Sequence, residues 1–584
     1  MEPTAFPGRV GAVTAALPLL ALVLAAGCGG SGNAAPNRPA STAKRPATTA
    51  HTTTAAAPKP TQAAANPHEF PEFRVAMDEA TDYLDPGLSD TTEGWGVMWN
   101  VYLPLLGYRH VSGPLGARLV PYLATTLPRI ARDRRTYRLT LRAGLSYSNG
   151  TPVKASDFKQ TIERDFKLDS VGAPFFRNIV GADAFAAHPA KTKGGIRGIV
   201  VDDATGTIVI HLKAPQADFS NVLASEFAAP LPADAPAADT SLHPLPATGP
   251  YVIKSYQPKF GIVEERNPYF QAWRFHGAVP AGNPDRVTWD IVPTASIALR
   301  RVLTGKDDWM SYFQVPSKRL PALEKKHESH LKVFTPPNLM YFFMNTRVPP
   351  FTSRKVRQAV NYAISRRWLR RLAGGLADMS ENVLPPGYPS FRPHTLYRHD
   401  LRKAIRLVHE SGYWHWRKKV FVWNHDVTAD LPYTEYLVAV LHQLGFRAAP
   451  KLVTAGSYWT TIGNRKTRAQ IGFANFVEDY PHPLDWFRLL DGRMITPTHN
   501  SNYASFDVGW VDREIAKLTR PTKLTRPLDR RWARLDRGVM RLAPWAPFLN
   551  QEGTDFFSER VDLGCYVNNV LYEFDYASIC VSKK

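Results

Sequence analysis

Cys28 is the residue of this 584-residue chain whose position points most directly to chemistry. Arg9 precedes an apolar run over residues 10–27, and this run of Val, Ala, Leu and Gly, with one Thr and one Pro, ends directly before the cysteine. A positive residue, an apolar stretch and small residues in this order are typical of an export signal peptide. We therefore predict that residues 1–27 direct export and that Cys28 stands where the chain is cut.

The residues before Cys28 resemble a bacterial lipobox, in which the thiol is acylated and the cysteine then becomes the first residue. Ala25 stands where that motif usually has Leu, with Leu24 one place earlier. A membrane-spanning helix is the alternative, and Pro18 and the glycines of the run disfavour it. We expect lipid on Cys28 to anchor the chain to the outer face of a cytoplasmic membrane.

A flexible linker is predicted over residues 28–68. This segment consists mainly of Ala, Thr, Pro, Ser and Gly, and it has no acidic residue and no Phe, Trp or Tyr with which to build a core. A linker of this length has an r.m.s. span of roughly 35 Å. The body beyond it, about 510 residues long, is expected to form two or three domains.

The formal net charge of +21 does not indicate a nucleic-acid partner. Positive residues are spread along the chain, and no zinc-finger spacing, RNA-binding aromatic signature or basic zipper occurs. Arginines do recur with helical spacing in two segments, where a solvated face is the simplest interpretation and attraction to anionic lipid or an acidic partner is the alternative. They are Arg366, Arg367, Arg370 and Arg371, and Arg530, Arg531, Arg534, Arg537 and Arg541.

Two cysteines remain near the C-terminus once Cys28 is assigned to lipid. Cys565 and Cys580 are then a natural pair, and a disulfide fits an oxidising exterior. Two unpaired buried thiols are the alternative.

The pattern of the body predicts an α/β fold. Short β-like runs at residues 207–212, 251–253 and 287–292 alternate with amphipathic helical patterns. One helix is predicted to begin near Ser353, and another to end at Gly445 with a left-handed residue. Their apolar stripes are expected in the core.

Motifs for catalysis are missing from the sequence. There is no Walker A loop, His-Glu-x-x-His, Gly-x-Ser-x-Gly or Cys-x-x-Cys. His482, next to two prolines, is more consistent with a loop than with a metal ligand. We expect no enzyme activity, no metal and no cofactor.

Several stretches, taken in order, resemble the family 5 extracellular solute-binding proteins of bacterial ABC importers, which handle peptides, nickel and some sugars. The most recognisable is residues 137–157, a strand, an Asn149-Gly150 turn and a helix start at Asp157. The other stretches are residues 84–86, 100–106, 119–124, 248–251, 266–269, 303–308, 344–351 and 356–364.

The resemblance implies two α/β lobes with a ligand cleft between them and an additional inserted domain, as in periplasmic binding proteins. Lobe I would comprise residues 69–95, 196–334 and 548–584. The inserted domain would be residues 96–195, and lobe II residues 335–547.

The same resemblance implies a ligand site around Asp479. In peptide-binding members, an aspartate at this position pairs with the free α-amino group of the ligand, and a buried ammonium needs such a partner. Phe476 would pack on the ligand, and the backbone of Val477 would pair with an extended peptide. An aspartate that only stabilises the turn before Pro481 is the alternative. Further aromatic candidates for the cleft are Trp95, Tyr102, Trp459 and Phe548.

We therefore expect a monomeric lipoprotein that captures a short peptide or other amine-bearing solute and delivers it to a membrane permease driven by an ATPase. The partners would be that solute, the permease with its ATPase, and the membrane through the lipid. A nickel chelate or an oligosaccharide as ligand, or a surface sensor that does not transport, are the alternatives.

Overall fold

The computed structural model describes residues 71–78, 81–427, 429–521, 525–569, 571 and 573–582. The predicted signal peptide, Cys28 and the linker lie outside the described residues.

Strands occur along the whole of the described body. Up to residue 334 they are β1 (Phe73–Met77), β2 (Leu106–Tyr108), β3 (Leu119–Pro121), β4 (Arg129–Ile130), β5 (Thr136–Thr140), β6 (Ile199–Asp202), β7 (Thr207–His211), β8 (Tyr251–Gln257), β9 (Gly261–Arg266), β10 (Arg286–Ile291), β11 (Trp309–Ser311) and β12 (Leu331–Phe334). Those that follow are β13 (Asn338–Met344), β14 (Ala377–Met379), β15 (Val420–His425), β16 (Ala448–Val453), β17 (Ile471–Val477), β18 (Trp545–Gln551), β19 (Gly553–Phe557), β20 (Val561–Asp562), β21 (Asn568–Asn569), β22 (Glu573–Phe574) and β23 (Cys580–Val581).

The α-helices are α1 (Thr92–Met98), α2 (Ala155–Lys167), α3 (Ala173–Phe176), α4 (Ala182–Ala187), α5 (Phe219–Val222), α6 (Ala295–Leu303), α7 (Leu320–His327), α8 (Arg354–Ala363), α9 (Arg366–Leu372), α10 (Leu401–His409), α11 (Leu431–Gln443), α12 (Ala455–Gly463), α13 (Pro483–Phe487), α14 (Gly509–Leu518) and α15 (Arg526–Leu542). Helix α8 follows Ser353 and buries Val356, Val360 and Ala363, so its apolar stripe lies in the core as expected. Beyond α11, Gly445 adopts a φ of 85°, a conformation that glycine takes without strain.

Three sheets organise the body. The seven-stranded sheet has the order β12-β19-β11-β1-β10-β9-β8, the six-stranded sheet β14-β18-β13-β17-β15-β16, and the four-stranded sheet β4-β5-β7-β6. We call the part built on the seven-stranded sheet the first lobe and the part built on the six-stranded sheet the second lobe. Separate hydrophobic cores cover the two faces of the six-stranded sheet, so its central strand β13 is buried along its whole length.

The chain passes between the two lobes twice. It leaves the seven-stranded sheet at the end of β12 and, after the three residues 335–337, enters the six-stranded sheet at the start of β13. It returns from β18 to β19 through the single residue Glu552. Two short, neighbouring connections of this kind suit a hinge between lobes.

Strand pairing crosses two of the predicted domain boundaries. β6 and β7, expected in lobe I, complete the four-stranded sheet, because β7 pairs antiparallel with β5 from Thr136↔His211 to Thr140↔Thr207. β18 remains in the six-stranded sheet to Gln551, beyond the expected end of lobe II at 547. A β-like run in the sequence identifies a strand but not the sheet that it joins.

A disulfide closes the C-terminal segment. Cys565 and Cys580 are joined with their Cα atoms 5.6 Å apart. Near the bridge, β20 pairs antiparallel with β23.

Candidate ligand-binding cleft

Strand β17 offers a free backbone edge in front of Asp479. On one side it pairs with β13 over its full length, from Ile471 to Val477. On the other side its pairing with β15 ends at Gly472. The Phe473 carbonyl on that second side accepts the Tyr458 hydroxyl hydrogen at 2.7 Å. Because strand residues alternate in direction, Asn475 and Val477 direct their backbone groups to the same open side.

Asp479 is paired with Arg488 inside its own lobe. The Arg488 guanidinium donates to the carboxylates of Asp479 and Asp485, the latter at 3.0 Å, and the Asp479 backbone N–H donates to Asp485 Oδ2 at 2.8 Å. Burial raises the pKa of Asp479 while Arg488 opposes this rise. Burial alone would lower the pKa of Arg488, but Asp479 and Asp485 outweigh it and the net shift is upward. Two carboxylates therefore share one cation.

The stretch after β17 also contacts the first half of the chain. The Tyr480 hydroxyl donates to Asp218 Oδ2 at 2.7 Å, and both groups are buried. The Arg488 guanidinium lies 4.3 Å from the centre of the Phe175 ring, a cation–π contact. The second lobe therefore touches the first half of the chain close to Asp479.

Acidic groups of the first lobe face this region from α1 and the turn before it. Asp90 keeps an exposed surface, yet surrounding protein desolvates it, and this together with nearby Asp479 and Asp82 raises the pKa of Asp90 to about 8. Burial, followed by Asp78, raises the pKa of Glu93 to about 8, while His425 of the second lobe opposes the rise. Asp90 is exposed and Glu93 half-buried, yet both carboxyl groups are desolvated, as expected for the wall of a narrow cleft.

Glu478, the other acid beside Asp479, is buried and directed inward. Its carboxylate accepts the Tyr388 hydroxyl hydrogen. Burial, with Asp485 and Asp479 adding to it, raises the pKa of Glu478 well above its ordinary value. It adds little negative charge to the cleft.

Three of the predicted aromatic contacts are core residues. Tyr102 is 1% exposed and its hydroxyl donates to the Leu245 carbonyl at 3.1 Å. Phe548 is fully buried, with its ring 4.7 Å from that of Phe342. Trp95 is 8% exposed, and its indole N–H donates to the Ser89 carbonyl at 3.0 Å. These three candidates came from the family resemblance, which locates a segment of the chain but does not show whether a side chain points into the core or into the cleft.

Phe476 and Trp459 are half-buried and remain candidates. The Phe476 ring packs edge-on against Trp486, with centroids 4.9 Å apart. The Trp459 ring stacks near Tyr503 at 5.9 Å and lies 6.1 Å from His425. Burial, with Asp90 adding to it, raises the pKa of Tyr503 well above its ordinary value, so this aromatic group lies near the acidic wall.

Sequence reasoning missed Asp90, Glu93 and Arg488. The first two flank Thr91, which caps α1 by accepting the Gly94 N–H at 3.2 Å, so the stretch has the appearance of an ordinary helix start. The spacing of Asp485 and Arg488 signals an i,i+3 pair, but the third partner, Asp479, lies outside the helix.

Across the described ranges, no helix is long and apolar enough to cross a membrane. Within the same residues, no group of three or more His, Cys, Asp or Glu side chains is placed to hold a metal ion.

Two lobes, two short crossings and a lined cleft define a bilobal binding protein. The chain belongs to the bacterial extracellular solute-binding proteins, family 5, whose model (the "Middle" region) matches residues 118–493. It is therefore a solute-binding protein of the class that serves ABC importers.

Named relatives agree with this assignment. The glutathione-binding protein GsiB of Salmonella choleraesuis is 24% identical over 464 residues, which cover 77% of this chain and 84% of the relative. The clavulanic acid biosynthesis oligopeptide binding protein 2 has a similar structure, with a TM-score of 0.76 at 22% identity, covering 89% of this chain and 97% of that one.

A third relative shares the fold in two forms. The Escherichia coli murein tripeptide binding protein MppA aligns with a TM-score of 0.74 at 20% identity, covering 88% of this chain and 99% of that one. The unliganded open form of MppA aligns with a TM-score of only 0.61, at 21% identity and with coverage of 88% and 98%.

Proposed function

We propose that the protein captures a short peptide, or another solute with a free α-amino group, between its lobes. The observation that carries this proposal is the position of Asp479 directly after the open edge of β17. An extended peptide could add to Asn475 and Val477 as a further strand, and its first residue would then lie beside the Asp479 carboxylate.

The charge balance of the cleft supports a cationic group on the ligand. Asp479 and Asp485 share the single guanidinium of Arg488, and Asp90 approaches from the other lobe. An added ammonium would supply the second positive charge and favour ionisation of Asp90. A carboxylate placed at the same point would meet Asp479 and Asp90 at once.

The names of the relatives support a peptide as ligand. Glutathione, a murein tripeptide and oligopeptides are what GsiB, MppA and the clavulanic acid protein are named for binding. A nickel chelate or an oligosaccharide has no comparable support from the side chains around Asp479.

Delivery completes the proposed role. Closure of the lobes on the ligand would present it to a membrane permease powered by a cytoplasmic ATPase, with no chemical turnover of the ligand. Lipid on Cys28 and the linker would keep a monomeric body beside that permease, on the outer face of the membrane.

A thermal-shift screen tests the proposal. Short peptides with a free N-terminus should raise the melting temperature, and their N-acetylated counterparts should raise it less, because acetylation removes the ammonium. Native mass spectrometry of protein purified from its host would identify the ligand directly. If no free-amine peptide shifts the melting temperature, the peptide assignment is wrong.

A further inference from the structure

Helix α15 displays a stripe of arginines on the surface of the second lobe. From its first to its last arginine the stripe covers 15 residue-to-residue steps of the helix, a rise of about 22 Å. All five side chains are exposed, and among the described residues none of their guanidinium groups pairs with a carboxylate. The arginine stripe consists of Arg526, Arg530, Arg534, Arg537 and Arg541.

The acidic residues of the same helix cannot neutralise this stripe. Asp529 is buried and accepts the Ser390 hydroxyl hydrogen at 2.6 Å. Asp536 is buried and accepts the backbone N–H groups of Val383 and Leu384 at 3.0 and 3.1 Å. Both carboxylates therefore bind partners in the interior, and neither of them compensates the positive charge of the stripe.

An exposed tryptophan lies beside the stripe. Trp510 of α14 is 43% exposed, and its ring rests against α15 at Gly538. A Cβ at Gly538 would come 2.8 Å from Cη2 of Trp510, so the glycine permits this close approach. Arg534 and Arg541 lie one turn to either side of Gly538, which places the indole at the edge of the stripe.

We propose that the arginine stripe and Trp510 form a docking surface for an anionic lipid bilayer. The guanidinium groups form a linear row without hydrogen bonds to fixed partners, which suits the many mobile phosphates of lipid headgroups. A binding site for an acidic protein would instead be expected to hold its arginines in bidentate pairs with carboxylates. An indole at the edge of such a row has an amphipathic ring of the kind that favours the headgroup region. Contact through α15 would orient the second lobe on the membrane surface.

The test measures binding of the body to vesicles without any lipid anchor. The hydrophobic cores of the described residues lie between Phe73 and Val581, so a chain that begins at Pro71 keeps all of them and can be prepared alone. It should sediment with phosphatidylglycerol-rich vesicles at low ionic strength and should be released by salt, and it should not sediment with phosphatidylcholine vesicles. The quintuple variant R526Q/R530Q/R534Q/R537Q/R541Q should lose at least about tenfold in partition coefficient.

The β4–β5 hairpin provides a control of equal charge. It exposes five arginines together with Asp133, and their replacement by Gln removes the same charge from a different face. The control residues are Arg129, Arg132, Arg134, Arg135 and Arg138. Retained binding by this control supports the proposal. An equal loss would show that net charge alone drives association, and this would overturn it.

Two further results bear on the proposal. W510A in the otherwise unchanged body should weaken vesicle binding without changing the far-ultraviolet circular dichroism spectrum. If the wild-type body ignores phosphatidylglycerol vesicles at low ionic strength, the lipid surface is not the partner, and an acidic protein surface becomes the occupant to test.

Discussion

The Tyr480 hydroxyl donates a hydrogen bond to Asp218 Oδ2 at 2.7 Å and so joins the second lobe to the first half of the chain beside the predicted ligand aspartate. Both partners are buried, so the bond is shielded from water. Contacts that form only between closed lobes are the ones through which closure and ligand binding are coupled.

Removing this hydroxyl should weaken ligand binding. Tyr480→Phe leaves the ring in place but removes a buried hydrogen bond to a carboxylate, which contributes about 1.5–3 kcal/mol. We expect a loss of roughly tenfold or more in affinity by isothermal titration calorimetry. Tyr413→Phe, which removes a hydroxyl contact with Thr352 inside the second lobe, is the matched control. Equal affinity for both variants would argue against a role for Tyr480 in closure.

Binding of an amine-bearing ligand should strengthen as the pH rises towards 8. Desolvation, with Asp479 adding to it, raises the pKa of Asp90 to about 8, so this carboxyl is largely protonated at neutral pH. A bound ammonium favours the ionised form, and binding should therefore release a proton. Between about pH 5 and 7 the peptide amine stays charged, and the affinity should rise by at most about tenfold per pH unit.

Calorimetry in two buffers of different ionisation enthalpy measures how many protons are released for each ligand bound. Asp90→Asn should reduce the release and the pH dependence, with Glu93, whose pKa is also raised to about 8, accounting for what remains. Asp507→Asn, at an exposed carboxylate of the second lobe, should leave both unchanged. In the ligand-free protein, a higher pH should instead lower the stability. The stabilisation that protonated Asp90 contributes is complete below the pKa that Asp90 has in the unfolded chain, and it is lost as the pH rises through the pKa that Asp90 has in the folded protein. A pH-independent affinity would remove Asp90 from the site.

Phe548 should matter for stability and not for the ligand. Its fully buried ring packs on Phe342 and lies 5.6 Å from Tyr433. Phe548→Ala should lower the free energy of unfolding by about 3–5 kcal/mol in chemical denaturation. Trp459→Ala, at a half-buried ring near His425, should instead reduce affinity with less effect on stability. A loss of affinity in Phe548→Ala without a loss of stability would show that Phe548 contacts the ligand.

The bridge between Cys565 and Cys580 should stabilise the C-terminal segment. Its loop has a sequence separation of 15 residues. Closure of a loop of this length contributes about 3 kcal/mol in the chain-entropy model. The double variant Cys565→Ser/Cys580→Ser should unfold at a lower denaturant concentration, and a reductant should shift the wild type to the same midpoint. A reductant that shifts the double variant as well would contradict this explanation.

The sequence determines the fold more fully than the site. Local signals such as Ser353 before α8 and Gly445 after α11 are short-range and could be predicted, as could the position of Asp479 after a strand. The partnership of Asp479 with Arg488 could not, because it depends on how α13 turns back on β17. The family resemblance located the segments of Tyr102 and Phe548 but could not show that these two side chains point into the core.

A double-mutant-style cycle tests the central claim most directly. It compares the affinities of a free-amine peptide and of its N-acetylated form, each measured for the wild type and for Asp479→Asn. If Asp479 pairs with the ammonium, each change alone should cost about 2–3 kcal/mol, and both together should cost little more than one. Glu435→Gln, at an exposed acid of α11, should change nothing. Isothermal titration calorimetry should use the tightest peptide from the thermal-shift screen. Unchanged affinity in Asp479→Asn, or equal binding of both peptides by the wild type, would contradict the account.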